Sequence, residues 1–163
     1  MIPEKIKQNF TVTSEENSGD SCTLEGTLEC CGSHSFEILA EGEIKHGLFS
    51  KTFVMPIEDN KLVIQAKCTK CGKVISVFDS RCDGYDQCEA EHSPDAPSVV
   101  RIPCKKCGSN DYSVTIKYEY PSLEELHDLG FKNIDNAYTW IQITPICNKC
   151  GTKYKKFVDF ETA

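Results

Sequence analysis

Residues 141–160 read IQITPICNKCGTKYKKFVDF, and this stretch decides how the chain folds. An apolar run leads into a Cys-x-x-Cys-Gly segment, Cys147 to Gly151, and a second β-like run with aromatic residues follows it. Two cysteines at this spacing can wrap one metal ion if the backbone turns sharply after them. Glycine permits that turn because it adopts positive φ without steric cost. The stretch therefore predicts a metal-binding turn between two strands.

The same arrangement occurs earlier in the chain, where residues 62–79 read LVIQAKCTKCGKVISVFD. Each of these closing stretches has a Cys-Gly-Ser opening upstream, at Cys31 in the first case and at Cys107 in the second. The agreement in order and spacing predicts an internal duplication. The interpretation divides the chain into a lead-in (1–21), a first unit (22–79), an acidic loop or linker (80–98) and a second unit (99–163).

Composition supports small, metal-stabilised units. Leu, Ile and Val are spread thinly, which favours two small units over one large apolar core, and units of that size need cross-links or metals to be stable. The N-terminal sequence MIPEKIKQNF carries charges where an export signal needs an apolar run, and no stretch is long enough to cross a bilayer. We therefore predict a cytoplasmic protein whose 11 cysteines stay reduced and mostly bind metal.

The predicted secondary structure is mostly β. Tyr and Val alternate with polar residues along 112–120, the period of a half-buried strand, and residues 62–66 and 137–146 also predict strands. One helix is predicted as an insertion in the second unit, because Ser122 and Glu125 form a capping box and Gly130 follows at its end. Three leucines supply its predicted apolar stripe: Leu123, Leu126 and Leu129.

The second unit offers four ligands for one metal ion. They come from Cys104-Lys-Lys-Cys107-Gly and Cys147-Asn-Lys-Cys150-Gly. This spacing resembles the zinc-ribbon family, whose members pair two CxxCG turns at the tips of β-hairpins, and the resemblance covers most of residues 99–163. It implies a structural Zn²⁺ held by four thiolates, and two tandem zinc-ribbon-like units would hold two such ions.

The first unit resembles the same family less completely. Cys68 and Cys71 form an intact turn and Cys31 matches Cys107, but Leu28 occupies the position of Cys104. A fourth ligand has to come from elsewhere, or the site has lost its metal.

Three candidates exist for that fourth ligand. Cys30 is the nearest thiol and is favoured, although adjacent residues on a strand point to opposite faces unless the backbone kinks. His34 comes next, because it makes a CxxH with Cys31. Cys22 is the third, if the preceding strand folds back.

Two further metal questions arise from the sequence. Cys82, Cys88 and His92 occupy an 11-residue stretch of the acidic loop and could form a third site together with Cys22. Their spacing matches no known site, and we interpret them as ordinary side chains. Iron competes with zinc, because rubredoxin also pairs two CxxCG turns around one ion. The long inserts between the turns favour zinc.

Charge is distributed unevenly and bears on the partner. The net charge is −7; residues 1–98 contain 9 Lys and Arg against 17 Asp and Glu, and residues 99–163 contain 9 against 8. Lysines cluster around the second unit's turns: Lys105, Lys106, Lys149, Lys153, Lys155 and Lys156. With Tyr138 and Trp140 they provide a candidate nucleic-acid surface, since aromatic groups beside basic ones hold single strands. The overall acidity nevertheless makes a protein partner the leading prediction and nucleic acid the alternative.

An enzyme is the least favoured reading. A catalytic zinc site keeps one position open for water, whereas the second unit has four thiolates, and a thioredoxin-type CxxC begins a helix rather than a strand. The sequence predicts a non-catalytic zinc-binding interaction protein, with a metal- or thiol-dependent enzyme as a remaining alternative and with no membrane or small-molecule substrate indicated.

Overall fold

A computed structural model describes residues 1–41, 43–46, 51–54, 62–87 and 98–163. It contains eleven strands among those residues, nine of which form one antiparallel sheet. The strands are β1 (Phe10–Asn17), β2 (Ser21–Leu28), β3 (Phe36–Glu41), β4 (Glu43–His46), β5 (Lys51–Val54), β6 (Val63–Cys68), β7 (Val74–Asp79), β8 (Val99–Arg101), β9 (Tyr112–Pro121), β10 (Trp140–Cys147) and β11 (Val158–Glu161). A single α-helix in the described part of the chain, α1, spans Leu123–Asp128.

Strand β9 joins the two halves of the chain. One of its edges pairs with β10, which in turn pairs with β11; the other edge pairs along most of its length with β2 and, at the Tyr112 end, with Phe36 of β3. Strand β1 extends the sheet from β2, while β6, β7 and β8 attach through β3. The mostly-β prediction is therefore correct, and the strand predicted from the alternation at 112–120 is β9.

The sheet does not separate into two tandem units. One buried cluster includes Leu28 and Phe36 from the first predicted unit together with Ile116 and Ile143 from the second. The expectation of two small cores in place of one is wrong. Aromatic side chains make up for the thin supply of aliphatic ones, because Phe36, Phe78, Tyr118, Tyr120 and Tyr138 are among the largest fully buried side chains.

The predicted lead-in is part of the sheet. Residues 10–17 form β1 and pair with β2, so the chain has no loose segment at 13–17. Only Phe10 of this strand is buried, and the side chains of 11–17 are exposed. Because apolar and polar residues do not alternate in this edge strand, its sequence pattern does not predict a strand.

The predicted N-cap of the short helix is confirmed, but its predicted apolar stripe is not buried as a whole. Ser122 Oγ accepts a hydrogen bond of 3.1 Å from the backbone N–H of Glu125, as the capping box requires. Leu126 is buried, whereas Leu123 and Leu129 are 52% and 58% exposed. Leu126 packs with Ala137 in a small cluster apart from the main core, so the helix has one buried apolar residue.

The first part of the predicted linker packs against the sheet. Cys82 and Asp83 are buried, Lys5 forms an ion pair with Asp83, and the backbone N–H of Tyr85 donates to the carbonyl of Tyr138 at 2.8 Å. Among the described residues, the structure has no helix with the length and apolar character needed to cross a membrane.

Candidate metal centres

Three turns share one backbone geometry. In each CxxCG segment, the glycine N–H donates to the carbonyl of the first cysteine at 2.8–2.9 Å. The N–H of that cysteine donates to the carbonyl of the residue five positions further on, at 2.7–2.9 Å. The glycines Gly72, Gly108 and Gly151 have φ of +76°, +70° and +69°. A side chain at these positions would be strained, which is why the turn requires glycine. The turn leaves both cysteine side chains on the same side of the loop.

The second tetrad comprises Cys104, Cys107, Cys147 and Cys150, the four predicted ligands of the second unit. Their Sγ atoms all lie within 4.8 Å of one another. The Cys104–Cys150 separation is 3.6 Å, and the Cys107–Cys147 separation is 3.5 Å. Strands β9 and β10 bring the two turns together, because Cys147 pairs with Tyr112 at the end of the ladder that follows the first turn.

The first tetrad comprises Cys30, Cys31, Cys68 and Cys71. Here the Cys30–Cys71 separation is 3.6 Å and the Cys31–Cys68 separation is 3.8 Å. The structure thus brings together the four residues that the sequence favoured, including Cys30 as the fourth thiol.

A tight turn explains how two adjacent cysteines reach the same centre. Cys30 and Ser33 exchange two backbone hydrogen bonds of 2.9 Å, and the intervening Cys31 and Gly32 have φ of +49° and +72°. Two successive positive φ values are characteristic of a type I′ turn. Because Cys31 adopts the left-handed conformation, its side chain does not follow the alternation of a strand, and both thiols face the Cys68–Cys71 turn.

The other two candidates for the fourth ligand lie elsewhere. His34 Nδ1 is 3.0 Å from the carbonyl oxygen of Leu28, and its side chain is 54% exposed. Cys22 is buried in β2, where it pairs with Tyr120. Leu28, which stands where the second unit has Cys104, is fully buried in the core. Neither His34 nor Cys22 belongs to the tetrad.

Both tetrads fit a thiophilic metal ion. Zn–S bonds near ~2.3 Å place the sulfurs of a tetrahedral site about 3.8 Å apart, close to the closest separations in both tetrads. The same separations are far beyond a disulfide bond of about 2.05 Å. The two clusters can therefore hold two metal ions, and four sulfur donors suit zinc or iron better than a hard cation.

Two thiols of the first tetrad have pKa values that are shifted in opposite directions. The backbone N–H of Lys73 lowers the pKa of Cys71 to about 7. Burial, and then the hydrogen bond with Cys71, raises the pKa of Cys30 to about 12. Neighbouring thiolates repel one another, so all four ionise together only when a cation is present among them. A metal ion bound here would therefore displace protons from the thiols.

The second tetrad has hydroxyl donors that the first lacks. Tyr154 Oη donates to Cys104 Sγ at 3.1 Å, and Thr152 Oγ1 lies 3.1 Å from Cys150 Sγ. Burial opposes ionisation of Cys104, but the Tyr154 hydrogen bond and backbone N–H groups lower its pKa to about 6. The Thr152 hydroxyl lowers the pKa of Cys150. In the described part of the chain, no side-chain hydroxyl contacts a sulfur of the first tetrad.

A chain of hydrogen bonds links the two tetrads. Asp111 Oδ1 accepts from Ser35 Oγ at 2.6 Å and from Asn148 Nδ2 at 2.7 Å. Ser35 Oγ also lies 2.5 Å from Thr69 Oγ1. Thr69 stands between Cys68 and Cys71, and Asn148 between Cys147 and Cys150, so Asp111 connects the variable positions of the two turns. The sequence analysis missed this residue, because nothing local marks a carboxylate that acts across two turns.

The structure assigns the predicted lysines to different surfaces. Lys153, Lys155 and Lys156 line an open groove with Lys117 and Glu25, on the outer face of β2, β9 and β10. Lys105 lines a separate, apolar groove. Lys106 and Lys149 are exposed and line neither of these two grooves.

The predicted stacking aromatics are only partly accessible. Tyr138 is fully buried. Trp140 is half-buried, and its Nε1–H donates to Asp159 Oδ1 at 2.7 Å. Asp159 also forms an ion pair of 2.7 Å with Lys156. The indole is thus anchored beside a carboxylate.

The remaining candidate ligands form no site among the described residues. Cys82 is buried outside both tetrads, where burial raises its pKa. Cys88 and His92 lie outside the described residues.

Compared with protein-family models, curated proteins and solved structures, the chain matches none of them. The zinc-ribbon likeness accordingly rests on the cysteine turns.

Proposed function

We propose that this is a zinc-binding, non-catalytic interaction protein in which one zinc ion in each tetrad stabilises the sheet. The observation that carries the proposal is the convergence of four thiols at each of two places, with closest sulfur separations of 3.5–3.8 Å. A four-thiolate set is typical of structural zinc, since catalytic sites keep a position for water.

Zinc content provides the direct test. Elemental analysis and native mass spectrometry of the purified 18.3 kDa chain should find two zinc ions and no stoichiometric iron. Cys68→Ser should lower the count to one, and Cys107→Ser, which removes the ion expected to hold most of the sheet, should lower it to one or none. Cys82→Ser is the matched control, because Cys82 is buried but belongs to neither tetrad, and it should retain both ions.

Two results would overturn the proposal. If the protein folds without bound metal, zinc does not stabilise the sheet. If Cys82→Ser loses as much metal as the tetrad variants, the losses come from general destabilisation. Stoichiometric iron in place of zinc would keep the sites but change the metal.

The relation between the tetrads supports the zinc-ribbon reading and the internal duplication. The turn after β6 and the turn after β10 have the same backbone hydrogen bonds, and each follows a strand that ends in its first cysteine. In this interpretation the first half is a duplicated copy whose missing ligand position, now Leu28, was replaced by Cys30.

A protein is the partner we favour. The net charge of −7 disfavours a polyanionic partner and supports this choice. The protein would act as a metal-held platform for a binding surface, in the reducing environment of the cytoplasm.

One observation favours nucleic acid as a second candidate. Lys153 and Lys155 are exposed and have no carboxylate partner among the described residues, and they share a groove with Lys117 and Lys156. Both of the latter are paired, with Glu119 and Asp159 respectively.

The two lysine groups allow a charge-matched test of this alternative. A single-stranded oligonucleotide should bind more weakly to a Lys153→Ala, Lys155→Ala, Lys156→Ala variant, with a flatter salt dependence, than to a Lys105→Ala, Lys106→Ala, Lys149→Ala variant of the same net charge. If both variants lose the same oligonucleotide affinity, the effect comes from net charge and not from the groove. If no oligonucleotide binds even at low salt, the protein partner is the better proposal.

A further inference from the structure

An apolar groove lies against the second tetrad and opens to the surface. Its walls include Ile102 and Pro103, which precede Cys104, together with Tyr112, Tyr154 and Phe157. Its volume is about 220 Å³. Neither the structural role of the metal sites nor the sheet requires an opening here.

The size of the groove restricts what it can take. Pockets for small-molecule ligands measure roughly 300–1,000 Å³ and enclose most of the ligand. A space of 220 Å³ that is open on one side instead suits one large apolar side chain presented by a macromolecule. Anchoring of this kind is how buried aromatic or aliphatic residues dominate protein interfaces.

The groove is held in shape by the second tetrad. Tyr154 Oη donates to Cys104 Sγ at 3.1 Å and accepts from the backbone N–H of Lys105 at 2.8 Å. The Tyr154 ring packs edge-on against Tyr112, with ring centroids 6.2 Å apart. A wall tied to a metal-site sulfur needs little ordering when a partner binds, which favours affinity.

The charge at the groove selects an acidic partner. Among the described residues that line it, Lys105 alone is charged; it is exposed and has no carboxylate partner within the described part of the chain. Lys106, exposed on the same turn, adds to the positive potential. A carboxylate beside an apolar anchor complements both features, whereas a basic segment would be repelled.

We propose that this groove binds an acidic segment of a partner protein, with one large apolar side chain inserted between Tyr112, Tyr154 and Phe157 and a carboxylate paired with Lys105. The inference rests on the proposed function in two respects, since the partner is a protein and the metal-loaded second tetrad holds the wall that contains Tyr154.

The probe is a seven-residue peptide with a central phenylalanine and three acidic residues on each side, added to the full-length, zinc-loaded protein. We expect saturable changes in the amide spectrum, centred on residues 102–105 and 154–157. Replacing the phenylalanine by alanine, or the acids by lysines, should abolish those changes. A proline-rich peptide tests the other occupant that an aromatic-lined groove could accept.

Neighbouring lysines provide the matched variants. Lys105→Glu should weaken peptide binding about tenfold, while Lys106→Glu, with the same charge change on the same turn but outside the groove lining, should weaken it less than about threefold. Phe157→Ala should weaken binding by at least about tenfold, because it removes an apolar wall.

The outcomes separate this inference from the proposed function. A protein that holds two zinc ions but shows no changes at the groove, or equal losses for Lys105→Glu and Lys106→Glu, overturns the groove and leaves the structural zinc intact. Tighter binding of the basic or proline-rich peptide overturns the acidic specificity. Unchanged peptide binding after loss of metal from the second tetrad would show that the groove does not depend on zinc, and absence of zinc from the folded protein would overturn the proposed function itself.

Discussion

The two tetrads have the same four donors but different surroundings. In the second, Cys107 and Cys150 are half-buried, and hydroxyl groups of Tyr154 and Thr152 contact two of the sulfurs. In the first, Cys31 and Cys71 are exposed. Hydrogen bonds to a thiolate and exclusion of solvent both make a metal–sulfur bond harder to break. Equal ligand sets therefore do not imply equal sites, and the predictions below test that difference.

The largest difference should appear when one ligand of each site is removed. Cys147→Ser should unfold most of the sheet, because structural zinc contributes about 10–16 kcal/mol in small domains, which is as large as the whole stability of a typical domain. Cys147 ends β10 beside the central strand β9. Cys71→Ser should leave the β9–β10 ladder folded, as measured by amide dispersion and thermal unfolding. If Cys71→Ser unfolds the protein equally, the two sites are structurally equivalent.

The identity of the fourth ligand gives the next largest effect. Cys30→Ser should abolish metal binding at the first tetrad, whereas His34→Ala should leave the zinc content at two ions, because His34 contacts Leu28 and belongs to neither tetrad. Native mass spectrometry distinguishes the two variants. Loss of metal in His34→Ala but not in Cys30→Ser would reverse the assignment.

Metal release should separate the sites kinetically. Under a chelator, the first tetrad should empty before the second, since an incoming ligand can reach exposed Cys31 and Cys71 directly. A colorimetric zinc assay should record two phases of equal amplitude, and the slow phase should be absent in Cys107→Ser if that variant remains soluble. A single phase would mean that the two sites release together.

The bridge through Asp111 should make the sites partly dependent on each other. Asp111→Ala removes the acceptor shared by Ser35 and Asn148, each of which belongs to the surroundings of a different tetrad. Both release phases should become faster by about three- to tenfold, since outer hydrogen bonds orient metal ligands. Acceleration of only one phase would show that the bridge supports only that site.

The most restricted expected change concerns one hydrogen bond, because its loss should affect release from one tetrad only. Tyr154→Phe keeps the ring but removes the hydrogen bond to Cys104, so release from the second tetrad should accelerate about tenfold, with little effect on the first. The hydrogen bond favours thiolate Cys104, and its loss should therefore also raise the pH at which the second tetrad starts to lose metal. No change in either rate or pH would mean that burial alone protects the site.

Local features account for what sequence reasoning predicted correctly. The CxxCG turns follow from cysteine spacing and a glycine with positive φ, and β9 follows from alternation at 112–120. The cap at Ser122 follows from a residue three positions away. Each of these features depends on contacts between residues that are close in sequence, and such contacts can be predicted from the order of the side chains.

Features that depend on distant parts of the chain were missed or misassigned. Strand β1 has exposed side chains on both faces, so the order of polar and apolar residues in β1 does not indicate that it pairs with β2. The six lysines were grouped because they flank the two turns that were expected to meet at one metal ion, but the structure divides them between a basic groove, an apolar groove and the open surface. Similarly, Tyr138 was considered as a candidate stacking residue, and it is buried in an aromatic cluster with Tyr118 and Tyr120.

The sequence by itself determined which cysteines could bind metal in the second tetrad, because ligand type, ligand spacing and the required glycine are all encoded within short segments. Only the tertiary structure decided that both halves share one sheet and that the left-handed conformation of Cys31 lets Cys30 complete the first tetrad. It also decided that Asp111 links the two turns and that Tyr154 donates a hydrogen bond to Cys104. The physical reason is that β-sheet pairing and outer hydrogen bonds join residues far apart in the chain. Their energy depends on which strands meet, and no local pattern specifies that choice.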